Sequence, residues 1–452
     1  MRRRRLALVL VVALLISTGE LQVARTTSAA AAAAADAPTA ATEPQEPLPA
    51  DDPEPPADDQ QSPPQAPGPA PPPPPSRRRH GRAAPPPPPP PEQQGQDPAP
   101  PRLVVPPQEP GGVPAGPGAG RGGGVINRTL GCSALLVFGD STVDPGNNNR
   151  LQTTARANFL PYGVSFFGRR PTGRFTNGRL ATDMLAERLG IGRTVPGFLD
   201  PNLRLVQLRR GVSFASGGSG YDDNTANRLN AMSFSAQLRN LFRYRLLIRT
   251  LLGPRRADRL VNRATFVIST GTNDMLSAYL ASNRSSAIST TAYENYLITR
   301  VANYTQVMSM LGGRRFVFVG LPPMGCLPIV RTLLGTGSER CDARLNQLAV
   351  SFNSKLVQLL NILNYQNQIK TSYIDAYAII NDATAEPNKF GLSEVSRGCC
   401  GSGVIEIAQT CRGRRTCGDP SKYLYWDAIH PTERANQLVA DVMMDSIRQL
   451  YA

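Results

Sequence analysis

The sequence predicts an α/β fold, a parallel sheet covered by helices on both faces, carried by the chain from Cys132 onward. Short β-branched or aromatic runs recur at 133–138, 211–215, 265–270, 316–320 and 371–377. Longer helical patterns fall near 179–189, 234–252, 292–311, 342–364 and 433–450. Alternation at this spacing leaves room for right-handed crossovers, which keep successive strands parallel and bury the sheet on both sides. In such sheets ligands bind beyond the carboxyl ends of the strands, so reactive residues are expected just after each strand.

The N-terminal third is different. Residues 1–5 are Met and four arginines, and residues 6–16 are almost wholly apolar. A basic head, a short apolar run and then small residues read as a signal peptide over 1–29. The run is too short to cross a hydrocarbon core of about 30 Å as a helix, although an uncleaved anchor is the competing reading. No other stretch is apolar enough to span a membrane. Residues 30–124 are alanine, proline, glycine and charged residues, with proline runs at 71–75 and 85–91. Such a segment has almost nothing to bury and favours solvated polyproline II, so it is expected to be a disordered spacer. It either serves wall association or display, or is a tolerated low-complexity tail. The globular domain is expected over 125–452.

The seven cysteines all lie from Cys132 onward. In an oxidising compartment most should pair. Cys326 and Cys341 enclose a short loop and form a plausible local bridge, worth roughly 3 kcal/mol by loop entropy. Cys399, Cys400, Cys411 and Cys417 crowd together and are expected to staple a loop. Zinc is the rival reading, but neither pair has Cys-x-x-Cys ligand spacing. Cys132 opens an apolar run and is the candidate buried thiol. Sequons at Asn127, Asn283 and Asn303 fit an exported chain. The net charge of +15 does not imply nucleic acid, because the arginines are scattered and no finger, RNP or basic-helix motif occurs. A basic chain can still adhere to acidic polysaccharide through long-range attraction, here through the basic, proline-rich leader.

Histidine is scarce. There are two, and His80 sits in the spacer, so a histidine base in the folded domain must be His430. Asp427 precedes it by three residues, close enough within a turn to bond the ring and fix its tautomer. The same pattern also suits a helix cap followed by a surface histidine. Ser141 lies just past the run 134–138, where the sheet rule puts a site, although Asp and Ser also favour ordinary helix caps there. Two more strand ends carry donors: the glycines of 211–220, and Asn273 after 265–270. Each alone could be a loop. Together they offer a hydroxyl, two kinds of oxyanion donor and one available histidine.

These residues resemble the GDSL-type (SGNH) esterase/lipase family, in its large plant branch. The Gly-Asp-Ser block at Ser141, the glycine block near Gly217, Gly-x-Asn-Asp at 271–274 and Asp-x-x-His at 427–430 occur in order. Intervening text at 144–149, 171–179, 321–326 and 430–433 is similar as well, so the resemblance spans about residues 132–450. The leader resembles the anther-specific proline-rich subgroup. The resemblance implies a three-layer α/β/α sandwich of the flavodoxin-like SGNH-hydrolase type. It implies Ser141 as nucleophile, His430 as base and Asp427 as its orienter. The N–H groups of Ser141 and Gly217 and the Asn273 amide would form the oxyanion hole, with Gly218 one position away as the other glycine. Thr142 departs from the family's Leu at a position whose side chain does not react. The absence of a Gly-x-Ser-x-Gly elbow argues against an α/β-hydrolase. The expected activity is secreted ester hydrolysis of lipid or wall acyl esters, without metal or organic cofactor. Acyl transfer to another alcohol by the same triad, and a non-catalytic proline-rich wall protein, are the rivals.

Overall fold

The computed structural model describes residues 131–282, 289–334, 340–366 and 369–452. The predicted leader and spacer, His80 and the sequons at Asn127 and Asn283 lie outside the described residues.

Five strands form one sheet: β1 (Leu135–Gly139), β2 (Gly211–Ser213), β3 (Thr265–Ser269), β4 (Arg315–Val319) and β5 (Lys370–Ile374). Their order is β2-β1-β3-β4-β5 and every neighbouring pair is parallel. This is the flavodoxin-like order, whose switch point falls between β1 and β3. Side chains alternate across the pleat with period two. Leu136, Phe138, Phe266, Ile268, Phe316 and Phe318 therefore share one face, under the helices Phe234–Leu252, Thr290–Met310 and Ala343–Gln366. Leu135, Val137, Val267, Val317 and Val319 share the other, under Ala181–Arg188 and Glu433–Tyr451. Burial on both faces of β1, β3 and β4 explains why these strands read as largely apolar runs rather than alternating ones. The result is the expected three-layer sandwich.

Every strand expected from the sequence is present, within a few residues. The fifth stops at Ile374 rather than 377 because Asp375 turns the chain into the helix Ala376–Ala385, its carboxylate accepting from the Ala378 N–H. A second, two-stranded sheet of β6 (Glu394–Gly398) and β7 (Tyr423–Tyr425) was not expected. Helices Pro254–Asn262, Thr272–Ser282 and Pro328–Leu334 were not expected either.

The cysteines pair as Cys326–Cys341, Cys399–Cys417 and Cys400–Cys411. The last two are nested and tie off one loop beside β7. Cys132 is buried, its thiol 3.4 Å from the Thr265 hydroxyl. Asn303 lies inside the helix Thr290–Met310, and the Thr305 hydroxyl of its sequon is buried against the Val301 carbonyl. Among the described residues no helix is long and apolar enough to cross a membrane.

Candidate active site

Ser141 follows β1 by two residues. The turn that presents it needs Gly139, whose φ of 139° brings its Cα against the next strand; a Cβ there would sit 1.9 Å from the Ser269 carbonyl oxygen. Asp140 donates its N–H to that same carbonyl at 3.0 Å, anchoring the turn on β3. The Thr142 N–H and hydroxyl both donate to Asp140 Oδ1, at 2.9 and 2.8 Å. Thr142 thus stiffens the turn, a contribution that a Leu side chain lacks.

Asp427 to His430 form a tight turn. Asp427 Oδ1 accepts the N–H groups of Ile429 and His430 at 2.9 and 2.7 Å. Its Oδ2 lies 2.7 Å from His430 Nδ1, and His430 Nε2 lies 2.8 Å from Ser141 Oγ. With Nδ1 bonded to a carboxylate, the proton belongs there, so Nε2 presents its lone pair to the serine. The three side chains, separated by 289 residues in sequence, are all buried: Asp427 is 0% exposed, His430 5% and Ser141 8%. Thr432 ends the turn by capping the helix Glu433–Tyr451 through the Ala435 N–H.

Ser141 and His430 open on a cavity of about 110 Å³ that also includes Asn273, Thr270, Leu321 and Leu327. Asn273 stands on the first turn of the helix that follows β3, and its Nδ2 gives one hydrogen to the Ser219 carbonyl at 2.9 Å. The other hydrogen remains for a ligand. Among the described residues the Ser141 N–H has no acceptor. Gly217 does not join this group. Its N–H donates to Asp144 Oδ2 at 2.9 Å, and it does not line the cavity. Asp144 is a fully buried carboxylate that also collects the N–H groups of Gly146 and Asn147, and it draws in the glycine as another donor. The expected oxyanion role of Gly217 is thus not what this geometry offers.

Residues 135–443 match the family model described as GDSL-like Lipase/Acylhydrolase. The chain belongs to that family. A GDSL esterase/lipase of Arabidopsis thaliana is 43% identical over 320 residues, covering 71% of this chain and 89% of the relative. Another from the same plant is 39% identical over 322 residues, covering 70% and 92%. A third is 38% identical over 313 residues, covering 69% and 84%. This GDSL-family chain is a carboxylic ester hydrolase.

Two residues of the GDSL site escaped the sequence reading. Phe175 packs its ring 5.0 Å from the His430 ring, and Tyr162 donates its hydroxyl to Asp427 Oδ2 at 2.6 Å. Gly217 supports the first of these. A Cβ on Gly217 would meet Phe175 Cζ at 2.6 Å and Asn148 Nδ2 at 3.1 Å. In Gly217→Ala the Phe175 ring must shift, and that ring packs against His430. Small displacements of catalytic groups cost up to about 10²-fold, so kcat is expected to fall by roughly 10- to 100-fold. Steady-state kinetics on a p-nitrophenyl ester checks this, and an unchanged kcat contradicts it.

Burial also raises three aspartates at these strand ends above their ordinary value of 3.8. Asp274, enclosed by the Tyr221 and Asp222 N–H groups and the Thr225 hydroxyl, rises to about 7. Asp144 rises to about 6, and Asp140 is raised too. A raised folded pKa means that the folded chain binds more protons than the unfolded one between the two values. Stability from these groups therefore falls as pH climbs from about 4 to about 7 and levels off above. Glu394 and Glu406 are lowered by hydrogen bonds, so they act only below about 4.5. Tm is expected to be higher at pH 5 than at pH 7.5, measured by differential scanning calorimetry. A rise over that interval contradicts the assignment.

Proposed function

We propose that this chain is a secreted serine esterase of lipid or wall acyl esters that works through an acyl-serine intermediate. The observation that carries the reading is the continuous line from Asp427 Oδ2 to His430 Nδ1, and from Nε2 to Ser141 Oγ, in bonds of 2.7 and 2.8 Å. His430 takes the Ser141 proton as Oγ attacks the ester carbonyl, and Asp427 stabilises the imidazolium. The Ser141 N–H and the Asn273 amide receive the oxyanion, a service worth about 10²–10³ in turnover for one donor. His430 then protonates the departing alcohol. Water, deprotonated by the same ring, releases the acid and restores the serine.

The walls support an apolar acyl group. Beside the serine they include Val319, Leu327, Ile380, Val439 and Met443. A groove of about 270 Å³ shares Asn273 and Ile429 with the cavity and continues over Leu276, Ile329, Val330 and Leu333. Export through a signal peptide at 1–29 fits three disulfides in the domain. The spacer over 30–124, the feature that resembles the proline-rich subgroup, would hold the domain of 125–452 at the wall.

The test is covalent. A fluorophosphonate should label one residue, and mass spectrometry should place the adduct on Ser141. Labelling elsewhere, or none in a folded preparation that turns over no p-nitrophenyl ester, overturns the reading.

A further inference from the structure

We infer that Tyr162 is a positioning residue for the Asp427–His430 pair, and that the disulfide-stapled loop of Cys399–Cys417 sets the direction in which its hydroxyl donates. The inference rests on the esterase reading above.

Tyr162 is buried, and its ring is held edge-on by Trp426 and Phe159. Its hydroxyl makes two bonds. It donates to Asp427 Oδ2 at 2.6 Å and accepts the Ala408 N–H at 2.9 Å. A phenol oxygen that already accepts a backbone N–H has its single proton directed elsewhere, and here the carboxylate is the group that takes it. Oδ2 thereby receives two donors, the Tyr162 hydroxyl and the His430 Nδ1–H, while Oδ1 receives the two backbone N–H groups. The four donors together hold the carboxylate in place against the imidazole. Burial and the adjacent Asp427 charge push the phenol well above its ordinary value, which keeps the donor protonated.

The Ala408 N–H is itself placed by the staple. Ala408 lies between Cys400 and Cys411, with a φ of 47° that an alanine rarely adopts. The surrounding loop is bonded to the segment that carries Asp427. The N–H groups of Cys399 and Cys400 donate to the Tyr425 and Trp426 carbonyls, and the Ala428 N–H donates to the Glu406 carbonyl. The two disulfides thus fix one frame that holds both partners of the phenol. Tyr162 does not line the cavity, so its effect must pass through Asp427 rather than through substrate.

The experiment is a double-mutant cycle of Tyr162→Phe with Asp427→Asn, in kcat per mole of folded protein, with the folded fraction of each variant measured by circular dichroism and thermal melting. Phenylalanine keeps the ring packing and removes only the hydroxyl. One hydrogen bond to an ionised group is worth about 10- to 100-fold, so kcat of Tyr162→Phe should fall by that factor with KM within about twofold. In the Asp427→Asn background the same change should have little further effect, because the group it acts through is gone. Normalising to folded protein removes any contribution from misfolded material. An unchanged kcat, or equal losses in both backgrounds, overturns the positioning role and assigns Tyr162 to packing. If the wild type shows no Ser141-dependent turnover, the esterase reading fails, and this inference with it.

Discussion

Replacing Ser141 with alanine is expected to lower kcat on carboxylic esters by about 10⁴–10⁶-fold, with KM within a few-fold. The neighbouring hydroxyls offer no substitute. Thr142 Oγ1 is committed to Asp140 Oδ1 and sits 2.8 Å from Ser269 Oγ, and neither of those hydroxyls touches His430 among the described residues. Without Oγ the base has nothing to deprotonate except water, and the covalent route closes. On the proposed oxyanion hole, the surviving rate is expected to come from the backbone N–H at position 141 and Asn273, both retained in the variant. The fold should not suffer, because among the described residues the Ser141 hydroxyl bonds only the His430 ring, whose freed nitrogen faces the cavity. Assays on p-nitrophenyl esters from acetate to palmitate, with circular dichroism beside them, check both halves. Turnover within tenfold of wild type in a folded variant would move the nucleophile elsewhere.

The parts of this architecture legible in the sequence are those that depend on short-range pattern. A parallel strand buried on both faces needs a continuous apolar run, and Ala134–Phe138 or Phe316–Val319 supply one within a few residues. With two histidines in the chain, choosing His430 took only elimination, the strand-end rule pointed to Ser141, and the pairing of the two was what the family resemblance implied. What stayed hidden depends on pairs distant in sequence. The Tyr162–Asp427 bond spans 265 residues, and nothing in the text around Tyr162 announces a partner. Gly217 failed for a related reason. Its block was legible as a source of N–H donors, yet the direction of one N–H depends on where Asp144 settles, 73 residues away. The helix Thr272–Ser282 was missed because Gly-x-Asn-Asp reads as a loop until Asp274 is seen fixed by Tyr221 and Thr225. The strand β6 has neither a periodic nor an apolar pattern, since β7 and the nested disulfides hold it in place.

Asp427→Asn should lower kcat by about 10⁴-fold while leaving KM nearly unchanged, because it reverses the proton on the base rather than removing the base. The carboxylate has two distinct sides. Oδ1 accepts two backbone N–H groups that cannot rotate away, and Oδ2 accepts the His430 Nδ1–H and the Tyr162 hydroxyl. An asparagine must set its oxygen on one side and its NH2 on the other. Placing the NH2 on the Oδ1 side would leave two buried backbone donors facing a donor, with a penalty of about 1–3 kcal/mol for each unsatisfied group. The oxygen therefore stays at Oδ1 and the NH2 faces the histidine. Nδ1 can meet it only as an acceptor, which moves the ring proton to Nε2. Nε2 then donates to Ser141 Oγ and can no longer take its proton. Asp427 is 0% exposed and does not line the cavity, so substrate should bind as before. Steady-state kinetics on one activated ester, with Tm measured alongside, distinguishes this from a folding defect. A loss below tenfold in a folded variant would show that the carboxylate does not set the His430 tautomer, and the orienting role would have to be reassigned.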